Sequence, residues 1–165
     1  MIWNKGLTCL FEQTALIRIV SIRRLCGVSR LAKEAGLPEN VVFVVDDDPA
    51  MLRSLARLLR QFGYDSLLFP SAEAFTNHSD FGNAACVVLD INLGDVSGID
   101  LRHRLRVANA SVPVIFITGN DKPAVREAAL QSGCVAYLTK PFSAKSLIEP
   151  IKELSISRSR HGPQR

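Results

Sequence analysis

From Val41 onward, short apolar runs alternate with stretches of helical pattern, and this alternation constrains the fold more than any other feature of the sequence. The apolar runs are rich in β-branched residues and occupy 41–45, 66–69, 85–89, 114–117 and 135–138. Between and after them, apolar residues recur at helical spacing over 49–62, a short stretch from 71, 99–107, 123–131 and 143–154. Runs that are apolar throughout are typical of strands covered on both faces. Strands that alternate with helices form parallel sheets.

Few topologies satisfy this pattern, because crossovers between parallel strands are right-handed. We predict a doubly wound α/β fold of the flavodoxin-like type, with a five-stranded parallel sheet of order 2-1-3-4-5 and helices on both faces. Ligands of such sheets bind at the carboxyl ends of the strands. The residues that follow each apolar run are therefore the candidates for function.

Charged or polar side chains follow four of the five predicted strands. They are Asp46 and Asp47 after the first run, Asp90 after the third, Thr118 after the fourth and Lys140 after the fifth. The next aspartate, Asp48, precedes Pro49, and we assign it to a helix cap. Three carboxylates at one edge repel one another unless a cation lies among them. With a backbone carbonyl and waters they suit Mg²⁺.

A hydroxyl and an ammonium beside Mg²⁺ are what a phosphoryl group requires, because its oxygens carry negative charge through the transition state. Asp90 stands alone at the end of a fully apolar run, where it would be a carboxylate nucleophile able to form an acyl phosphate. The predicted chemistry is phosphoryl transfer to an aspartate.

Four segments, in order, resemble the motif blocks of one family, the receiver domains of two-component response regulators. They read VVDDDPAMLRSL, VVLDINLGDVSGIDL, VIFITGN and AYLTKPF. The resemblance covers about residues 40–154. Since only eleven residues follow Leu154, we expect a stand-alone receiver without an output domain.

The resemblance implies a metal site and a phosphoacceptor. Asp90 matches the phosphorylated aspartate, and Asp47 matches the direct Mg²⁺ ligand. Asp46 matches the acidic neighbour that binds through water or tunes the site. Asn92 would offer its backbone carbonyl to the metal.

The resemblance also implies a switch. Thr118 and Lys140 would each contact a phosphoryl oxygen, and Lys140–Pro141 would be a cis peptide. Tyr137 would turn inward when Thr118 moves toward the phosphate. Such a domain takes its phosphoryl group from a histidine kinase or a histidine phosphotransfer protein and is not a turnover enzyme. It signals to a downstream protein or a second copy through its fourth helix, fifth strand and fifth helix.

Composition and charge divide the chain into three parts. Of 165 residues, 47% are apolar and 22% charged, as in a soluble globular domain. The net charge of +4 is carried by the ends, because 40–150 holds ten basic and twelve acidic residues. We predict a basic extension over 1–39, flexible or partly helical, a receiver over 40–154 and a disordered basic tail over 155–165.

Several classes of protein are disfavoured. The longest apolar stretch near the start, 7–22, is interrupted by Glu12 and Arg18, so neither a membrane span nor a signal peptide is predicted. Four scattered cysteines without metal-ligand spacing fit a reducing cytoplasm. The basic ends lack an interleaved aromatic pattern, so no nucleic acid is expected as a partner.

Three alternatives to a phosphorylated receiver remain. An aspartyl-phosphate phosphatase of the haloacid dehalogenase class needs a second carboxylate two residues after its nucleophile, and Asn92 stands there. A flavodoxin-like FMN binder needs a phosphate loop where this chain has three aspartates. A receiver fold that binds partners without phosphorylation is the third and keeps every residue of the site.

Overall fold

The structure is a computed structural model, and it describes residues 41–160 apart from 79–80, 82–83, 95 and 109–110. The predicted extension over 1–39 lies outside the described residues. Seven strands and five helices are found within the described part of the chain. In order they are β1 Val41–Val45, α1 Pro49–Gln61, β2 Asp65–Phe69, α2 Ala72–Thr76, β3 Ala84–Asp90, β4 Asn92–Leu93, β5 Val96–Ser97, α3 Gly98–Val107, β6 Val114–Thr118, α4 Pro123–Gln131, β7 Ala136–Thr139 and α5 Ala144–Arg160.

The five long strands form one parallel sheet of order β2-β1-β3-β6-β7. Counted along the chain without the two short strands, this is the predicted order 2-1-3-4-5, and the predicted fold is confirmed. The short strands β4 and β5 pair with each other antiparallel in a separate two-stranded ribbon. The ribbon was not predicted, because two-residue strands carry no periodicity.

Alternate side chains of the central strands enter two hydrophobic cores, one on each face of the sheet. On one face, Phe43, Val87 and Phe116 pack with residues of α2, α3 and α4. On the other, Val44 and Val88 pack with residues of α1 and α5. The two faces together bury the central strands almost completely, which is why their sequences are apolar throughout.

Polar side chains cap the first two helices at the starts that the sequence predicts. The Asp48 carboxylate accepts a hydrogen bond of 2.8 Å from the Ala50 N–H at the start of α1, so its predicted assignment to the cap is confirmed. Ser71 caps α2 in the same manner. Gly63 after α1 has a φ of +82°, a backbone conformation that glycine adopts without strain.

The prediction of a disordered tail from residue 155 is wrong for its first six residues, because α5 continues through Pro150 to Arg160. The Ser155 hydroxyl donates to the Ile151 carbonyl, and the Arg158 guanidinium donates to the Ala84 carbonyl at 2.7 Å. The second contact joins residues 74 positions apart, so local sequence could not reveal it. No helix among the described residues is long and apolar enough to cross a membrane.

Candidate functional site

The predicted site residues lie at the carboxyl ends of four neighbouring strands. Strand register brings them together: Val45 of β1 pairs with Leu89 of β3, so Asp46 and Asp90 follow a registered pair. Thr118 of β6 pairs with Thr139 of β7. The sheet therefore places one carboxylate after β1, one at the end of β3, a hydroxyl at the end of β6 and an ammonium just after β7.

Lys140 bridges two of the carboxylates. Its ammonium nitrogen lies 2.8 Å from Oδ2 of Asp46 and 2.7 Å from Oδ2 of Asp90. The Asp46 side chain is fully buried and that of Asp90 is 7% exposed, while the lysine keeps 18% of its surface. Because buried charges are costly unless paired, the lysine stabilises both carboxylates without metal. We call Asp46, Asp47, Asp90 and Lys140 the acidic rim.

Burial dominates the electrostatics of Asp90. Removal from water raises the pKa of the Asp90 carboxyl, although hydrogen bonds from Lys140 and from the Asn92 N–H act in the opposite direction. For Lys140, burial by itself disfavours the ammonium. Its hydrogen bonds to Asp46 and Asp90 outweigh that cost and raise the pKa of the lysine. The lysine is therefore a fixed positive charge at neutral pH.

The three carboxylates of the acidic rim are close enough to share one cation. One oxygen each of Asp46, Asp47 and Asp90 lies within 4.8 Å of the other two. Asp47 is exposed, whereas the other two are buried, so the cluster is open on one side. An all-oxygen donor set with room for water suits a hard ion such as Mg²⁺. The residues present thus fit the predicted metal.

The backbone around Asp90 is held tightly. The Asn92 N–H donates to Oδ1 of Asp90 at 3.1 Å, and the Gly98 N–H donates to the Ile91 carbonyl at 2.9 Å. A Cβ atom on Gly98 would lie 2.2 Å from the Asp90 carbonyl oxygen, a distance that real contacts do not reach. The ribbon and the start of α3 therefore close on the chain at Asp90, and only glycine fits at that contact.

Thr118 lies at the same edge of the sheet, but its hydroxyl is engaged elsewhere. The residue is fully buried, and its Oγ1 donates to the Asn120 carbonyl at 3.2 Å and accepts from the Asn120 N–H at 3.1 Å. Its own carbonyl accepts from the Lys140 N–H at 2.7 Å. Lys140–Pro141 is a cis peptide, which confirms that prediction.

A second cluster of charge, which the sequence did not predict, surrounds Tyr137. The tyrosine hydroxyl donates to Oδ1 of Asp121 at 3.1 Å, and the Thr139 hydroxyl donates to Oδ2 at 3.3 Å. Arg126 donates to both oxygens, at 3.1 and 2.7 Å, and its guanidinium carbon lies 4.8 Å from the centre of the tyrosine ring. We call these four residues the Asp121 cluster.

The structure thus brings Asp46, Asp47, Asp90 and Lys140 into one site with Thr118 at its border. Tyr137 is not part of this site, and its hydroxyl bonds Asp121. In the Asp121 cluster the pKa of Asp121 is lowered, chiefly by the hydrogen bonds from Arg126. Burial and the bond to Asp121 raise the pKa of the Tyr137 phenol. The only sequence signal for this cluster was a lone aspartate three residues after Thr118.

Comparison with known proteins finds the same family that the sequence motifs resemble. The family profile described as "Response regulator receiver domain" matches residues 42–152. The chain is 34% identical over 131 residues to the response regulator protein TmoT of Ectopseudomonas mendocina, covering 76% of this chain and 59% of that protein. It is 36% identical over 111 residues to nodulation protein W of Bradyrhizobium diazoefficiens, covering 67% of this chain and 49% of that protein. The chain thus spans about half the length of these curated relatives.

Solved structures of receiver domains are also similar to this chain. A response regulator receiver domain protein (CheY-like) of Methanospirillum hungatei is similar with a TM-score of 0.65 and 27% identity, over 74% of this chain and 98% of that one. A structure described as the BeF3-activated DrrB receiver domain is similar with a TM-score of 0.63 and 27% identity, over 72% and 98%.

Proposed function

Because the chain belongs to the response regulator receiver domain family of two-component systems, we propose that it accepts a phosphoryl group on Asp90 in a Mg²⁺-dependent reaction. One observation carries the proposal. Asp90, Asp46 and Lys140, distant in sequence, meet through contacts of 2.7 and 2.8 Å at the end of the sheet where ligands bind.

The phosphoryl donor is a phosphohistidine of a histidine kinase or a histidine phosphotransfer protein. A carboxylate oxygen of Asp90 attacks the phosphorus atom, forming a P–O bond as the P–N bond to the imidazole breaks. The electron pair of that bond stays on the imidazole nitrogen. A ring protonated on its other nitrogen leaves as neutral imidazole, and an unprotonated ring leaves as an imidazolate that takes a proton from water. The product is an acyl phosphate on Asp90.

The metal would be held by the carboxylates of Asp47 and Asp90, with Asp46 binding through water or tuning the site and the Asn92 carbonyl as a further ligand. The mutual distances of the three carboxylate oxygens, all within 4.8 Å, support this set. When bound, Mg²⁺ would screen the repulsion between the anionic nucleophile and the incoming phosphoryl group.

Lys140 and Thr118 donate hydrogen bonds to oxygens of the phosphoryl group. An ammonium has three donor hydrogens, and Lys140 uses two of them on Asp46 and Asp90, so one is available to a phosphoryl oxygen on Asp90. Among the described residues, the Thr118 hydroxyl bonds only the backbone of Asn120, and it can exchange those bonds for one to a second phosphoryl oxygen. Both side chains bind the charge that the reaction brings into the site.

We further propose that the domain acts as a phosphorylation-dependent binding partner and that water removes its phosphate slowly, without turnover of a substrate. The surface of α4, β7 and α5 contacts the downstream protein or a second copy. Tyr137 of β7 and Arg126 of α4 lie on this surface, next to the loop that follows Thr118. That proximity supports the choice of this surface.

The test is the intact mass of the protein after incubation with acetyl phosphate and Mg²⁺. We expect one added phosphoryl group, absent in Asp90→Asn and absent with EDTA. Asp48→Asn is the matched control, since it changes a neighbouring aspartate that caps α1 and should still gain the group. No gain in the wild-type protein under conditions where Mg²⁺ binding is measured would favour a receiver fold that binds partners without phosphorylation.

A further inference from the structure

The loop from Gly119 to Lys122 connects the border of the acidic rim to the Asp121 cluster. At one end, the Thr118 hydroxyl exchanges two hydrogen bonds with the backbone of Asn120. The Asn120 carbonyl also accepts from the Lys122 N–H at 3.2 Å. Asp121 directly follows Asn120 in the chain. The backbone that the threonine hydroxyl fixes is therefore the backbone that carries this carboxylate.

At the other end, the carboxylate of Asp121 fixes Tyr137 from several directions. It accepts a hydrogen bond from the phenol hydroxyl, with 3.1 Å between the two oxygens. Arg126 donates to both carboxylate oxygens, and its guanidinium carbon lies 4.8 Å from the centre of the tyrosine ring. Thr139, two residues along β7 from the tyrosine, donates to the same carboxylate. A single exposed ion pair contributes little. Here, a bidentate pair and two hydroxyl donors converge on one group.

We propose that Asp121 is a latch that holds Tyr137 in its half-buried position, with the phenol hydroxyl bonded to Asp121, and opposes the movement of Thr118 toward a phosphoryl group. The inference rests on the proposed function, since the phosphoryl group on Asp90 is what draws the threonine hydroxyl. When Thr118 leaves Asn120, the loop that carries Asp121 loses two of its anchors. The tyrosine is then released from its partner.

The latch acts on an equilibrium between two arrangements of the loop. Asp121 contacts the tyrosine hydroxyl in the arrangement that the structure describes, so it stabilises that arrangement over one in which the hydroxyl has moved away. A ligand that binds the second arrangement must overcome this difference. Removing the carboxylate should therefore strengthen apparent binding of a phosphoryl analogue by about two- to fivefold, the range expected for an exposed polar network.

The experiment is a double-mutant cycle between Asp121→Ala and Tyr137→Phe in the full chain. Beryllofluoride with Mg²⁺ replaces the phosphoryl group, and its half-saturating concentration is measured for all four proteins. We expect a two- to fivefold decrease in Asp121→Ala, and no further effect of Asp121→Ala when residue 137 is Phe. An equal decrease in the Tyr137→Phe background would overturn the latch, because Asp121 would then act without the tyrosine.

A second readout follows Tyr137 directly. The chain has two tyrosines, and Tyr64 is buried in the core beside α1, so [¹³Cζ]tyrosine gives one reporter and one internal reference. Without beryllofluoride, Asp121→Ala should move the Tyr137 signal toward its position in the activated wild-type protein. A signal that stays in place would overturn the latch. Glu127→Gln is the matched control, since that exposed carboxylate lies on the neighbouring helix α4 and accepts a hydrogen bond from Gln131.

The two proposals fail in different ways. A wild-type protein whose spectrum and mass are unchanged by beryllofluoride and acetyl phosphate contradicts the proposed function, whatever Asp121 does. A wild-type protein that responds to both, with Asp121→Ala indistinguishable from it, contradicts the latch alone.

Discussion

The acidic rim and the Asp121 cluster both join carboxylates to one cationic side chain, yet burial gives them opposite properties. In the acidic rim, a lysine bridges two buried carboxylates, and the pKa of Asp90 is raised by removal from water. In the Asp121 cluster, an arginine fork meets an exposed carboxylate, and the pKa of Asp121 is lowered. The buried cluster balances its charge with one cation and adds backbone N–H donors to Asp46 and Asp90. The exposed one distributes its contacts over three donors.

The difference between a lysine and an arginine as the cation indicates different roles for the two clusters. A lysine is a compact charge on a flexible stem that can exchange one oxygen for another. An arginine fork fits one carboxylate in a fixed geometry. The first arrangement suits a site where charge arrives and leaves. The second suits a contact that holds one arrangement of the surface.

The largest effect should come from removing each cation in turn. Lys140→Met leaves two buried carboxylates without their cation, with only backbone N–H donors among the described residues, and we expect the free energy of unfolding in EDTA to fall by about 3 kcal/mol. Arg126→Met removes a half-exposed partner and should cost less than about 1 kcal/mol. Urea denaturation of both variants measures the difference. Equal losses would mean that burial does not separate the two clusters.

A second experiment compares the rigid backbone at Asp90 with the open loop after Thr118. Gly98→Ala would place a methyl group 2.2 Å from the Asp90 carbonyl, so the chain must shift. We expect a loss of about 1–3 kcal/mol in stability, as for an overpacked core, together with slower phosphorylation by acetyl phosphate. At Gly119, a Cβ would meet nothing within 4 Å, so Gly119→Ala should change the stability little. A tolerated Gly98→Ala would contradict the tight contact.

The smallest effect, and the most specific, is the sign of the pH dependence. A raised pKa means that folded Asp90 binds its proton more tightly than the unfolded chain. Its contribution to stability is therefore lost as the pH rises from about 3.8 through the folded value. Asp121 has a lowered pKa, so its contribution is present above about 3.8 and is lost as the pH falls through the folded value.

Urea denaturation in EDTA between pH 3 and pH 7 checks both signs. Relative to the wild-type protein, Asp90→Asn should gain stability as the pH rises, and Asp121→Asn should lose it. The same sign for both variants would remove the electrostatic distinction between the clusters. Asp48→Asn provides a baseline for an aspartate that only caps a helix.

Most of the fold could be predicted from sequence because it depends on local periodicity and on rules for parallel sheets. The strand ends then followed, and with them the positions of Asp46, Asp90, Thr118 and Lys140. Asp48 was assigned to a cap from its place before Pro49, and the structure confirms that contact.

The features that the sequence did not predict depend on contacts between residues that are distant in the chain. The Asp121 carboxylate meets hydroxyls 16 and 18 residues away, and no periodicity predicts such a meeting. The helical residues after 154 were also missed. Their sequence is polar, and one of their contacts is a backbone carbonyl 74 residues away at the start of β3.

The most direct test of the account is to locate the phosphoryl group. After incubation with acetyl phosphate and Mg²⁺, sodium borohydride reduces an aspartyl phosphate to homoserine, and peptide mass mapping identifies the residue. We predict homoserine at position 90 alone, in a peptide that also contains Asn92. Homoserine at position 46 or 47, with Asp90 unmodified, would contradict the central claim that Asp90 is the phosphoacceptor.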